Sequence, residues 1–206
     1  MTLLLAATLV ALQAATQGPD PRLQRLDSIS RPIVTALVDS AHAVALPTEP
    51  LVQRALEGAT KRATADRIVA AVRRLAVDLG HARDALGAPA SPTELTAAAA
   101  ALRAGAPPAT LTELRRIRRE PLTVPLAVLT DLVASGVPVD SAAAAVLSLA
   151  AKARDADLVE FRRAVERDIA LGAPPASATA AAAAVTAEAT AVQVNAGARQ
   201  QRPGRP

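Results

Sequence analysis

The sequence predicts an all-α protein, a loose array of short capped helices joined as helix–turn–helix repeats, with a compact helical bundle as the alternative packing. Three observations carry this expectation. The 206 residues include 53 alanines, set against 26 Leu, 19 Val, 5 Ile, one Met and one Phe, with no Trp, Tyr or Cys. Alanine is the strongest helix former, and so little bulk excludes a thick aromatic core. Second, apolar residues recur three and four apart, and no alternating apolar/polar pattern competes with them. Third, three junctions repeat one pattern position by position: Leu102-x-x-Gly105-Ala106-Pro107-Pro108-x-Thr110, Val133-x-x-Gly136-Val137-Pro138-Val139-x-Ser141 and Ile169-x-x-Gly172-Ala173-Pro174-Pro175-x-Ser177. Each shared position has a physical reason. An apolar residue ends the last turn, glycine takes a positive φ, proline forbids continuation, and a hydroxyl caps the next helix. The glycines are irregularly spaced, so the array is loose and not a strict solenoid.

The helices follow in order. Residues 17–29 read as a linker, and residues 30–194 as one helical domain. Ser30-Arg31-Pro32 opens a helix carrying Ile33, Val34, Leu37, Val38, Ala41 and Val44, which stops before Pro47. Thr48-Glu49-Pro50 opens a short one that ends at Gly58, where Gly58-Ala59 begins a degraded fourth copy of the junction, ending at Thr64. Behind Thr64, a helix from Ala65 to Leu86 places Ile68, Val72, Leu75, Leu79, Ala82 and Leu86 on one stripe. Ser91-Pro92-Thr93-Glu94 is a capping box with proline at the first helical position, and its helix runs to Gly105. Thr110-Leu111-Thr112-Glu113 is a second such box, starting a helix that Pro121 stops. Further helices start near Pro125, behind Asp140 or Ser141, and behind Asp155, the last with Leu158, Phe161, Val165 and Ile169 on one stripe. An alanine-rich helix follows Ser177 and fades near Asn195, leaving residues 195–206 as a disordered basic tail.

The uncharged residues 2–16, followed by Gly18-Pro19-Asp20-Pro21, resemble the apolar region of a secretory signal peptide. The run is shorter than the roughly 20 residues a membrane-spanning helix needs. Leu3, Leu4, Leu5, Leu9, Val10 and Leu12 cover every face of a helix, which argues against an amphipathic helix packed on the body. Residues 1–16 are therefore expected to be a signal peptide, and the mature chain to be periplasmic or secreted with no transmembrane anchor after processing.

Without cysteine there is no thiolate nucleophile, disulfide or Cys-ligated metal. No Gly-rich phosphate loop, dinucleotide fingerprint or His-Glu-x-x-His zinc motif occurs, so no cofactor is expected. The net charge is +4, but Arg199, Arg202 and Arg205 lie in the tail and leave the body near neutrality. Asp78-x-x-His81-x-x-Asp84 brings a histidine and two carboxylates together at helical spacing, as a metal or acid/base site requires. The two aspartates stand about 240° apart on the wheel, however, and do not converge on one ion. Asp39, Ser40 and His42 supply the residue types of a hydrolase triad, but neighbours on one helix cannot take its geometry. The remaining candidate is an anion-binding cluster, Arg115, Arg116, Arg118 and Arg119, able to meet phosphates or anionic envelope polymers. Glu113 and Glu120 flank it, and cations at a helix C-terminus are favourable in themselves.

These observations lead to the expectation of a non-enzymatic, exported helical interaction or structural protein of the cell envelope, its partner another envelope protein or an anionic envelope polymer. The alternative is a cytoplasmic nucleic-acid-associated helical protein using the arginine cluster.

Overall fold

The structure, a computed structural model, describes residues 20–200, with side chains as far as residue 193. The expected leader and residues 201–206 lie outside the described residues. Those described form nine α-helices and no strand: α1 (Ser30–Ala43), α2 (Glu49–Thr60), α3 (Ala65–Leu86), α4 (Pro92–Arg103), α5 (Pro108–Ile117), α6 (Thr123–Ala134), α7 (Val139–Ala150), α8 (Asp155–Ala170) and α9 (Pro175–Gln200). Packing runs between near neighbours in two rows. One row holds α4, α6 and α8; the other holds α1, α3, α5, α7 and α9, with α2 beside α1 and α3. The rows are cemented where α3 meets α4, α6 meets α7 and α8 meets α9. A continuous core of Leu, Val and Ala lies between them, and Phe161 is its largest fully buried side chain.

The stripe of α3 is buried as its spacing predicts, from Ile68 to Leu86. On α8, Leu158, Phe161 and Val165 are buried and Ile169 is half-buried. The Ser91 box forms: the Ser91 hydroxyl accepts from the Glu94 amide at 3.2 Å, and the Glu94 carboxylate accepts from the Ser91 amide at 2.9 Å.

The three repeated junctions close identically. Gly105, Gly136 and Gly172 have φ of 104°, 89° and 96°. The amide after each glycine reaches back five residues, Ala106 to the Ala101 carbonyl, Val137 to Leu132 and Ala173 to Asp168, at 3.0, 3.0 and 2.9 Å. This is the Schellman motif. The same closure recurs where the sequence shows no glycine. Ala45 (φ 56°) lets Leu46 bond the Ala41 carbonyl, and Arg62 (φ 54°) lets Ala63 bond the Gly58 carbonyl, both at 2.9 Å.

Several starts and stops differ from the sequence expectation. Thr110, Ser141 and Ser177 are not caps, because α5, α7 and α9 begin at Pro108, Val139 and Pro175. The reason is the preceding proline, whose extended backbone makes its own carbonyl the first acceptor: Pro107 for the Thr110 amide, Pro138 for Ala142 and Pro174 for Ala178. The Thr110 box is therefore absent, and Glu113 turns to Arg116 instead. Ser30 lies inside α1, whose start is held by Asp27 accepting from the amides of Ile29 and Ser30 at 2.8 Å each. Gly58 does not end α2 but sits inside it, where an added Cβ would lie 2.8 Å from Ile68 Cγ1; its missing side chain admits α3.

The segment expected as a linker is packed from residue 20 onward. Pro21–Arg25 is a 3-10 turn capped by Asp20, Leu23 and Leu26 are buried, and Arg22 bridges Asp20 and Glu49. Two leucines three apart are enough to pull so short a turn onto α2. At the other end, α9 continues to Gln200, past Asn195 where the tail was expected to begin. The alanines that precede it carry helix propensity across that boundary.

Candidate functional site

The four arginines of the cluster do not share one surface. Each follows from its place at the end of α5. Arg115 is half-buried and donates to Glu94 Oε1, at the N-terminus of α4. Arg116 is exposed and grips both oxygens of Glu113, one turn back on its own helix. Arg119 is exposed and makes no ion pair among the described residues. Arg118 is 5% exposed and points into the protein, where it donates to the carbonyls of Ala150 (3.1 Å) and Ala153 (2.8 Å) and pairs with Asp155 (2.6 Å) and Glu120 (2.9 Å).

Glu94 is the second centre of this network. Beyond its capping role it accepts from the Leu122 amide at 2.9 Å, so one buried carboxylate ties the start of α4, the end of α5 and the start of α6. Burial pushes its carboxyl upward, the largest single influence. Hydrogen bonds from the Ser91 and Leu122 amides, the Arg115 guanidinium and the Ser91 hydroxyl together outweigh it and hold the group at about 2. Glu94 is thus fully ionised at neutral pH and has no proton to exchange there.

Arg118 serves a related purpose at the far side. Between Leu149 and Asp155 the chain has neither glycine nor proline, and the end of α7 closes only through Lys152 and Ala153 bonding the Leu149 carbonyl. The carbonyls of Ala150 and Ala153 receive their donors from Arg118, a planar cation set at the negative end of α7. The missing glycine after Leu149 marks an irregular closure but, as the turn at Arg62 shows, does not by itself call for an outside donor. Nothing in the spacing of the arginines distinguishes Arg118 as that donor.

The other motifs do not assemble. Asp78 is buried beside Leu79, with Oδ1 3.3 Å from Arg74 Nε and Oδ2 unpartnered, while His81 and Asp84 are exposed. The burial of Asp78 separates it from the other two. Asp39, Ser40 and His42 are exposed on α1, and no hydrogen bond joins them. Among the described residues, no group of three or more His, Asp or Glu side chains is placed to hold a metal ion, and no helix is long and apolar enough to cross a membrane.

Open depressions mark the surface, among them one of about 340 Å³ between α7 and α9. A cleft of about 570 Å³ lies between the 3-10 turn and α1, and a groove of about 280 Å³ lies between α8 and α9 over Phe161 and Ala164. No family model, curated protein or solved structure matches this sequence.

Proposed function

We propose that this protein is an exported interaction or structural module of the cell envelope that acts by presenting helix faces to another macromolecule. The observation that carries the reading is the use made of its charged groups: Glu94, Arg115 and Arg118 hold helices together, and Arg116 pairs with Glu113. The apolar, uncharged residues 2–16 support export. The open groove between α8 and α9 supports docking of a helix or extended chain.

Fractionation of the native host with intact-mass measurement tests the reading. An extracytoplasmic product lacking about the first 16 residues is the expected result. An unprocessed product in the cytoplasm overturns export. It makes salt-dependent nucleic-acid binding through Arg116 and Arg119 the next measurement.

A further inference from the structure

The two ends of the array are held with unequal strength. At the first, Leu46 before α2 and Leu51, Val52 and Ala55 on it are buried, Arg83 donates to the Val44 carbonyl at 2.8 Å, and Arg22 pairs with Glu49. At the last, α9 packs chiefly on α7 and α8. Among its described side chains Ala178, Thr179, Ala182 and Thr190 are buried, none larger than threonine, while Val185 and Val192 are 67% and 69% exposed. Burying a methyl group gains far less than burying a leucine, so this seam contributes little per turn of helix. Polar groups add little more. The hydroxyls of Thr179, Thr186 and Thr190 donate to the Pro175, Ala182 and Thr186 carbonyls of their own helix. Among the described residues, the one side-chain hydrogen bond from α9 to the rest of the protein is exposed, Arg154 Nη2 donating to Gln193 Oε1 at 3.0 Å.

Both seams of α9 are also incompletely filled. Depressions of about 340 and 120 Å³ lie along its α7 side, and the groove of about 280 Å³ lies along its α8 side. Leu149 and Phe161, 3% and 1% exposed, stand at these seams with α9 residues bordering them. The turn before α9 stands clear of the body. Leu171 is 80% exposed, a Cβ on Gly172 would meet nothing within 4 Å, and the amides of Gly172 and Ala173 bond to the Ile169 and Asp168 carbonyls just behind them. A few such residues can absorb the rotation of a whole helix. With 26 residues and many alanines, α9 exceeds the roughly 12–15 below which an isolated helix is marginal, so it keeps much of its helix once undocked.

We propose that α9 is a hinged cover of the α7–α8 face: it lifts as one helix about the turn at Gly172 while α1–α8 stay folded, and so bares Leu149 and Phe161. Openings of this kind cost less than global unfolding and occur where buried apolar contacts are few. The inference goes beyond the reading of export and does not depend on it.

Thiol labelling of the full chain tests it. The sequence has no cysteine, so a single introduced thiol reports one position without interference. Ala182→Cys and Thr190→Cys replace residues 7% and 6% exposed on the buried side of α9, and Ala98→Cys, at a fully buried position on α4, is the reference. With N-ethylmaleimide the two α9 thiols are expected to react at one common rate, at least about tenfold faster than the reference, and with a weaker dependence on urea. An Ala182→Cys rate equal to that of the reference shows that α9 opens only with the whole molecule and overturns the proposal. Thr190→Cys reacting far ahead of Ala182→Cys shows fraying from the C-terminal end and overturns it equally. Ala178→Cys and Ala101→Cys, buried on the same two helices, take the place of any variant that loses its helical circular dichroism.

Discussion

The turns after α4 and after α7 do the same task by opposite means. After α4, Gly105 takes φ 104°, Ala106 bonds back to Ala101 and Pro107 launches α5, so every group that closes the turn lies within a few residues. After α7 there is no glycine and no proline, and two carbonyls are satisfied by Arg118, 32 and 35 residues away in sequence. A local closure sets only the direction of the next helix. A remote closure also fixes which helices lie together, because it forms only when α5 and the α7–α8 turn are already neighbours. The repeated junctions therefore shape the array, while Arg118 and Glu94 set its register.

Arg118→Met breaks the remote closure and should have the largest effect. It leaves the Ala150 and Ala153 carbonyls without donors and Asp155 without its partner, a loss of about 3–5 kcal/mol, read as a melting temperature lower by roughly 10 °C. A change within a degree or two would mean that the α7–α8 turn closes without it.

Glu94 sharpens the comparison through pH. Its folded carboxyl stands at about 2, below the ordinary 4.5, so its contribution is complete above about pH 4.5 and is lost as pH falls toward 2. The linked stability is about 3 kcal/mol. Glu49, held at about 2 by Arg22 and Gln53, titrates over the same range on the exposed surface and adds less. Urea unfolding of Glu94→Gln at pH 7 and pH 3 should show the variant about 2 kcal/mol less stable at pH 7 and closer to wild type at pH 3. An undiminished difference at pH 3 would place the effect in packing and not in charge.

At the local closures the expected effects are smaller. Gly136→Ala and Gly172→Ala add a Cβ that meets nothing within 4 Å, so the cost is backbone strain alone, about 1–2 kcal/mol each. The smallest effect runs the other way. Arg62→Gly relieves a left-handed arginine but frees the unfolded chain, for a net gain of roughly 0.5 kcal/mol and a melting temperature raised by about 1–2 °C. A loss of stability there would mean that the Arg62 side chain contributes contacts exceeding the strain.

The same division explains what was legible in the sequence. Interactions local in the chain could be read: the stripe of α3, the Ser91 capping box and the three glycine turns. Errors arose where two local devices competed. Pro107, Pro138 and Pro174 set the helix starts ahead of the hydroxyls of Thr110, Ser141 and Ser177, and Asp27, accepting from the Ile29 and Ser30 amides, starts α1 ahead of Ser30. The closures at Ala45 and Arg62 carry no signal, because any residue can be driven into the left-handed region when packing repays the strain. Arg115 and Arg118 read as part of a surface cluster because they lie in a run of four cations; only the fold shows that Glu94 and the end of α7 stand beside them.

Amide hydrogen exchange on Arg118→Lys tests the remote closure most directly. Lysine keeps the charge but cannot span two carbonyls and a carboxylate with one ammonium group. Protection should fall at the Lys152, Ala153 and Leu158 amides while the closing amides Ala106, Val137 and Ala173 keep theirs. A uniform loss of protection across both sets, or none at Lys152, Ala153 and Leu158, would contradict the assignment of Arg118 as the group that closes α7.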